Sequence, residues 1–316
     1  MQKLINLKNK RIFISGGAGI IGRELVFKLL ELNAKIFVGD LKKCPKDFDG
    51  KVKYRTGDLN TITKKELINF KPEIFFHLAA TYERTYESYN FFSNNFHNNI
   101  KLSNYLLKIF SEVGSIKKIV FASTYLIYSD ENYLNKNSNQ PVKLKENSIV
   151  YPRNLIAASK LYHEQELFFI SKHISRISVV CARIFRGYGA NSRDIISRWV
   201  RSIIKKEKLI VYAEKSSFDY IFSKDTAESL IRMALIKNKF KIINVGYGKS
   251  ISISYILKKL KFIFETNVKI KKIKSKVVIE NSVADINCLK KTIKFKPYHN
   301  IIEGIRKIID YEKKKN

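Results

Sequence analysis

The sequence predicts an α/β protein: a doubly wound parallel sheet with a smaller C-terminal cap lobe. Three observations carry that expectation. Short apolar, β-rich runs alternate with longer helical patterns through roughly the first 180 residues. A glycine-rich turn stands between the first such run and the first helix. After about residue 186 the alternation gives way to a helix-rich pattern. Strands separated by helices are usually parallel, because a helical crossover returns the chain to the same end of the sheet.

The elements follow in order. Arg11 to Ser15 reads as the first strand, and Glu24 to Leu32 has the periodicity of the first helix. Lys35 to Gly39, Lys51 to Arg55, Glu73 to His77, Ile116 to Ala122 and Ile177 to Ala182 read as further strands. The stretch from Asp130 to Glu146 is polar and rich in Asn and Lys, which suggests an exposed excursion. Helices are expected near Ser192 to Lys206, Lys224 to Lys237, Ser252 to Phe264 and Asn300 to Tyr311, with strand-like pieces such as Leu209 to Tyr212 between them. The Lys313 to Lys315 tail is expected to fray.

Composition narrows the partners. Sixty Lys and Arg against 28 Asp and Glu give a formal charge of +32 at pH 7, a field that favours anionic ligands. The lysines are scattered rather than blocked, and no basic block is interleaved with aromatics, so solvated faces explain most of them and nucleic acid is not the expected partner. Cys44, Cys181 and Cys288 are far apart and lack metal-ligand spacing, which suggests neither a disulfide framework nor a metal site and fits a reducing cytoplasm. No signal-peptide apolar region or membrane-spanning stretch is expected.

The turn itself is Gly16-Gly17-Ala18-Gly19-Ile20-Ile21-Gly22. A chain that must bend sharply, admit a pyrophosphate to its backbone amides and pack a helix tightly on a strand needs glycines there. The helix N-terminus then faces the negative charge. Placed directly after a strand and before a helix, the motif reads as a dinucleotide-binding turn of the Rossmann type. Asp40 ends the second strand, where a carboxylate can accept hydrogen bonds from the adenosine ribose and repel a 2′-phosphate; NAD is expected over NADP. The alternative for Asp40 is a plain turn or cap residue.

These glycines, with Gly57-Asp58-Leu59, His77-Leu78-Ala79-Ala80 and Ser123-Thr124 at the ends of later strands, resemble the extended short-chain dehydrogenase/reductases, the family of sugar-nucleotide epimerases and dehydratases. The resemblance continues through Arg183-Ile184-Phe185, Phe218-Asp219-Tyr220-Ile221, Asn244-Val245-Gly246 and the Ala284-Asp285 to Pro297 tail, so it covers almost the whole chain. It implies an NAD-binding domain over 1–185 and a substrate-binding cap over 186–316, with the chain free to exchange between lobes. NAD would be held by Gly16, Gly19, Ile20, Ile21 and Gly22 of the turn and by Asp40. Asp58 and Leu59 would flank the adenine; Leu78, Ala79 and Ala80 would line the phosphates and ribose; Asn95 would support the cofactor side. Ala122, Ser123, Lys160 and Phe185 would complete the site, while His77 reads as structural. The resemblance also implies a homodimer formed by the helices near Asn95 to Ser111 and Asn154 to Ser171.

In that family a Ser or Thr, a Tyr and a Lys act together: the tyrosine moves a proton while hydride moves to or from the nicotinamide, and tyrosine and lysine sit four apart on one helix face. Thr124 matches the hydroxyl position and Lys160 the lysine, but four residues before Lys160 stands Ile156, which cannot accept a proton. Tyr125, Tyr128, Tyr151 and Glu83 are the nearest candidates to replace it. Thr124 is followed by Tyr125-Leu126, where the family's 4,6-dehydratases carry an Asp-Glu pair, so an epimerase or reductase is expected ahead of a dehydratase. Relatives that bind a nucleoside diphosphate often carry Asn where this chain has Arg186, and Arg where it has Phe218. Arg186, Arg193, Arg198 and Arg201, on or just before one helix, become candidates to hold an anionic nucleotide or phosphorylated sugar, against the plainer reading of an exposed basic face. Two rival readings stand beside an NAD-dependent enzyme: a non-catalytic NAD-binding regulator or scaffold that has lost its base, and an RNA-binding member of the fold driven by its charge.

Overall fold

The computed structural model describes residues 7–81, 89–134, 140–266, 268–273 and 278–315. Its central feature is a seven-stranded sheet built from β1 (Arg11–Ser15), β2 (Lys35–Asp40), β3 (Lys53–Thr56), β4 (Ile74–His77), β5 (Lys118–Thr124), β7 (Ser178–Ile184) and β11 (Phe240–Val245), in the order β11-β7-β5-β4-β1-β2-β3. The ladders from β3 through β5 are parallel. β1 pairs with both β2 and β4, so the winding direction reverses there and leaves a crevice beyond the carboxyl ends of β1 and β4.

The six strands read from the sequence lie within two residues of their expected bounds. β11, the edge strand, was not among them, because Phe240–Val245 carries two lysines in its surroundings and follows a helix after a short link. The contacts divide the chain into two compact units, Met1–Tyr128 with Val150–Arg183 and Ala227–Ile243, and Ser129–Ile149 with Ile184–Thr226 and Asn244–Asn316. The chain thus exchanges twice across the expected boundary at residue 185, at Ser129–Ile149 and at Ala227–Ile243. The Asp130–Glu146 excursion is not a solvent loop: it buries Tyr133 and contributes β6 (Val142–Leu144), which pairs with β14 (Ser282–Ala284) in the second unit. The helix expected at Lys224 to Lys237, observed as α7 (Ser223–Met233), has most of its length in the first unit rather than in the cap.

In the first unit, α1 (Ile20–Glu31) follows the glycine turn, and α2 (Lys64–Phe70) begins with a capping box in which Thr63 and Glu66 satisfy each other's backbone amides. A longer helical run is made of α3 (Tyr89–Asn95), a π-helical turn over Phe96–Lys101, and α4 (Leu102–Glu112). α5 (Leu155–His173) is capped by Asn154, whose side chain accepts from the Ala157 amide at 2.9 Å. The apolar face of α4 meets the sheet in a core where the rings of Phe13, Phe37, Phe75 and Phe110 touch at centroid distances of 4.5 to 5.8 Å.

In the second unit, β10 (Ser217–Phe222) is the middle strand between β8 (Arg186–Tyr188, parallel) and β12 (Ser250–Ser252, antiparallel). A small parallel pair joins β9 (Leu209–Val211) to β13 (Ile270–Lys272). α6 (Ile195–Ile204), α8 (Ile253–Phe264) and α10 (Ile301–Lys315) pack around Trp199, Ile256 and Ile305, and α9 (Asn287–Ile293) follows β14. The buried Asp219 carboxylate accepts amides of Tyr247, Gly248 and Ala284 at 2.7 to 3.1 Å, tying three chain segments together.

Candidate active site

The glycine turn occupies the crevice between β1 and β4. Gly16 has φ +76, and a Cβ there would lie 2.7 Å from the Ala79 amide nitrogen; only glycine lets the turn come this close to the end of β4. A Cβ at Gly22 would collide with the Gly16 carbonyl oxygen and the Gly17 backbone. α1 starts at Ile20 with Gly19 as its N-cap, no side-chain cap and no acidic residue in its first turn, so its leading amides remain available to an anion. Asp40 braces the turn from the second strand: its Oδ2 accepts the Ala18 amide at 2.8 Å and its Oδ1 the Lys42 amide at 2.9 Å. A cradle closed to every side chain at its two tightest points, with a carboxylate beside it, fits the pyrophosphate and ribose of a dinucleotide.

Asp58 and Leu59 sit at the third strand's carboxyl end, where Leu59 is buried and the Asp58 carboxylate takes hydrogen bonds from the Asn60 amide and side chain and contacts His97 Nε2 at 2.8 Å. The Asn60 and His97 hydrogen bonds hold the Asp58 carboxyl below the usual range despite the opposing cost of partial burial. His97 belongs to the π-helical turn, a link absent from the sequence reading.

Along β4, His77 is buried with both ring nitrogens engaged, Nδ1 with Ser15 Oγ at 2.7 Å and Nε2 with Ser103 Oγ at 2.8 Å, and burial beside His163 and Lys160 depresses its pKa. Leu78 and Ala79 continue this path, their amides donating to the Ser15 carbonyl and hydroxyl. Ala79 and Ala80 line a small cavity with Asn99, Ser103, Ser159 and Lys160. Asn95 is buried outside that lining, where it holds Ser159 at 2.8 Å and accepts from Asn99 at 2.7 Å. Asn99, Ser103 and Ser159 were missed in the sequence; the available signal was the run of polar residues at helical spacing in an otherwise apolar helix.

Lys160 donates to the Ala122 carbonyl on β5, and its Nζ lies 4.8 Å from the Phe121 ring centroid. Burial lowers its pKa to about 8, against an opposing pull from Glu164. Glu164, one turn further on α5, is fully engaged elsewhere: its two oxygens accept from Arg183 at 3.2 and 2.8 Å in a buried pair. Ser123 is buried on β5 next to Ala122, and Thr124 ends the strand with its hydroxyl accepting the Leu126 amide at 3.3 Å.

Ile156 shares the buried face of α5 and is 9% exposed. Of the tyrosines the sequence put forward as candidates, Tyr125 and Tyr128 are buried, Tyr128 lying under the Arg183 guanidinium at 5.0 Å, and Tyr151 is 68% exposed. Among the described residues no tyrosine lines the Lys160 cavity; Glu83 lies outside them.

Phe185 is buried in the second unit. Arg186 is not part of a helical arginine row but lies on β8, with its guanidinium 3.0 Å from the buried Glu280 and 4.2 Å over the Phe218 ring. Arg201 is committed to Glu312 and the Ser192 carbonyl. Arg193 precedes α6. Among the described residues, no group of three or more His, Cys, Asp or Glu is placed to hold a metal ion, and no helix is long and apolar enough to cross a membrane.

Residues 12–246 match the family model described as NAD dependent epimerase/dehydratase family. The chain belongs to that family. NAD is therefore its cofactor. Relatives of this epimerase/dehydratase include a UDP-glucose 4-epimerase of Yersinia enterocolitica, 25% identical over 81% of this chain and 83% of that protein. A UDP-N-acetyl-alpha-D-glucosaminuronate decarboxylase of Bacillus cytotoxicus is 24% identical over 96% and 97% of the two chains. Among solved structures, a UDP-N-acetylglucosamine 4-epimerase from Methanobrevibacter ruminantium M1, in complex with UDP-N-acetylmuramic acid, superposes with a TM-score of 0.85 at 25% identity, covering 98% of this chain and 100% of that one.

Proposed function

We propose that this chain is an NAD-dependent enzyme acting on a nucleoside-diphosphate sugar, by oxidation at a ring carbon followed by inversion or reduction. The observation that carries the reading is the joining, in one compact unit, of a dinucleotide cradle at Gly16–Gly22 and Asp40 with a cavity just beyond β4 that Lys160 lines. Bound NAD supplies the two-electron acceptor and donor. Lys160 and Thr124 would handle the substrate hydroxyl; Arg186, steadied by Phe218 and Glu280, and Arg193 would meet the anionic nucleotide. The relatives' UDP-sugar substrates and the Tyr125-Leu126 pair after Thr124 favour an epimerase or reductase over a 4,6-dehydratase.

A homodimer belongs to the proposal, supported by exposed Phe92 and Phe96 on the α3 run and Tyr162 and Phe169 on α5, helix faces apolar enough for a second copy to cover. A reducing cytoplasm suits its three free cysteines. The test is incubation of the NAD-loaded protein with a panel of UDP-hexoses, UDP-N-acetylhexosamines and UDP-hexuronates, with chromatography of the products. An epimer or a reduced sugar supports the reading; intact substrates throughout, with NAD bound, favour the scaffold reading that Ile156 raises.

A further inference from the structure

Resting on that functional reading, we infer that Lys160 itself is the proton acceptor and donor of this enzyme, its amine taking the place of the hydroxyl that Ile156 removes. Among the described residues the cavity offers no other base: its polar lining is Asn99, Ser103, Ser159 and Lys160, of which the lysine alone titrates in a useful range. Of the tyrosines that the sequence offers as replacements, Tyr128 lies beneath Arg183 and Tyr125 in the core, while Tyr151 faces solvent.

The surroundings explain why an amine can act here. Lys160 is set among β4, β5 and α5, and the charged or titratable groups facing it are His77, His163 and Glu164. Glu164 is the natural counter-ion four residues along the helix, yet Arg183 on β7 takes both of its oxygens. Both histidines have depressed pKa values through burial, and His163 Nδ1 is already engaged by Glu166 at 2.8 Å. The lysine thus loses hydration without gaining a carboxylate of its own among the described residues. Its pKa falls to about 8, so a substantial fraction is neutral in mildly alkaline solution. One N–H is anchored on the Ala122 carbonyl, which holds the nitrogen while its lone pair remains free to take a proton.

The sugar's carbinol O–H proton would pass to the Lys160 amine, giving an ammonium, while bound NAD would supply the two-electron acceptor for the C–H hydride. The carbon would become a ketone; return of the hydride to the carbon and of the proton from the ammonium to the oxygen would restore the alcohol, on the same or the opposite face.

The experiment uses the full-length NAD-loaded protein, its Lys160→Met and Ile156→Tyr variants, and the UDP-sugar panel. Lys160 is also titrated directly by NMR of 13C-methylated lysines, its signal assigned by its loss from Lys160→Arg. The expected results are a signal titrating near pH 8, wild-type kcat rising through the same pH, and a fall in kcat of about 10²-fold or more in Lys160→Met at saturating NAD. Ile156→Tyr should turn over with a pH limb that no longer follows the amine. Turnover in Ile156→Tyr with none in wild type would overturn the lysine assignment and leave the functional reading intact. The lysine assignment also falls if Lys160 titrates at its ordinary value, or if Lys160→Met keeps wild-type kcat. No turnover by either wild type or Ile156→Tyr overturns the functional reading and, with it, the inference.

Discussion

The glycine turn after β1 and the lysine cavity after β4 lie at the same end of one sheet, yet they are built in different ways. The turn works through backbone: Gly16 and Gly22 are defined by what cannot be added to them, and Asp40 holds the shape through the Ala18 amide. The cavity works through side chains, with Lys160 fixed on the Ala122 carbonyl from a helix that Asn154 caps. The shape of the turn is thus written into the course of the chain, whereas the cavity depends on single side-chain atoms that can be exchanged without altering the fold.

The comparison can be broken most severely in the cavity's support. Glu164→Gln strands Arg183 in the interior and should lower stability by about 3–5 kcal/mol; urea unfolding would show it, and a loss under 1 kcal/mol would mean that the pair is not buried as described. At the turn, Gly22→Val forces a side chain into the Gly16 carbonyl and should weaken NAD binding about 10²-fold or more, with the far-UV circular dichroism kept. Calorimetry decides this, and near-native affinity would remove the cradle from the account. Asp40→Ala should cost NAD about tenfold, the scale of a hydrogen bond to a charged group, and reduce discrimination against NADP.

The smallest effect concerns pH. Lys160 and the buried Lys118 both have pKa values lowered to about 8, so between that pH and the ordinary lysine value the unfolded chain binds more protons than the native one. Stability should therefore rise as pH increases from about 8 to 10. Lys160→Met removes one share of that rise and leaves the share of Lys118; urea midpoints at the two ends of the window measure it, and an unchanged slope contradicts the depressed lysine.

Much of the fold was legible because the strands of a doubly wound sheet are apolar runs bounded by turns, and because the glycine motif has a single structural use. The exchanges of chain between units were not, since the Asn and Lys of 130–146 look like solvent loop while Tyr133 and the β6 ladder fasten that segment down. Asp40 follows from local pattern, at a strand end beyond the glycine turn, whereas Thr124 and Lys160 are singled out only by the family resemblance. Asn99, Ser103 and Glu164 matter through partners 18 to 26 residues away, to Thr81, His77 and Arg183, and separations of that kind leave no periodic trace. The large charge, finally, is general: each unit holds 30 Lys and Arg against 14 Asp and Glu, so neither is marked out by it as a basic face.

The π-helical turn at Phe96–Lys101 adds a residue to one turn of an otherwise regular run. It acts as a phase shifter: upstream, Asn95 addresses Ser159; within it, His97 addresses Asp58; downstream, Ser103 addresses His77. Each α-helical residue advances the facing direction by about 100°, so deleting a residue from the α-helical run after Lys101 would swing all that follows out of register with the sheet, whereas deleting one within the wide turn would tighten it to a regular α-helical turn with Ser103 still facing His77. A change of length is therefore borne most easily at the π-turn itself, at the expense of the His97 contact with Asp58.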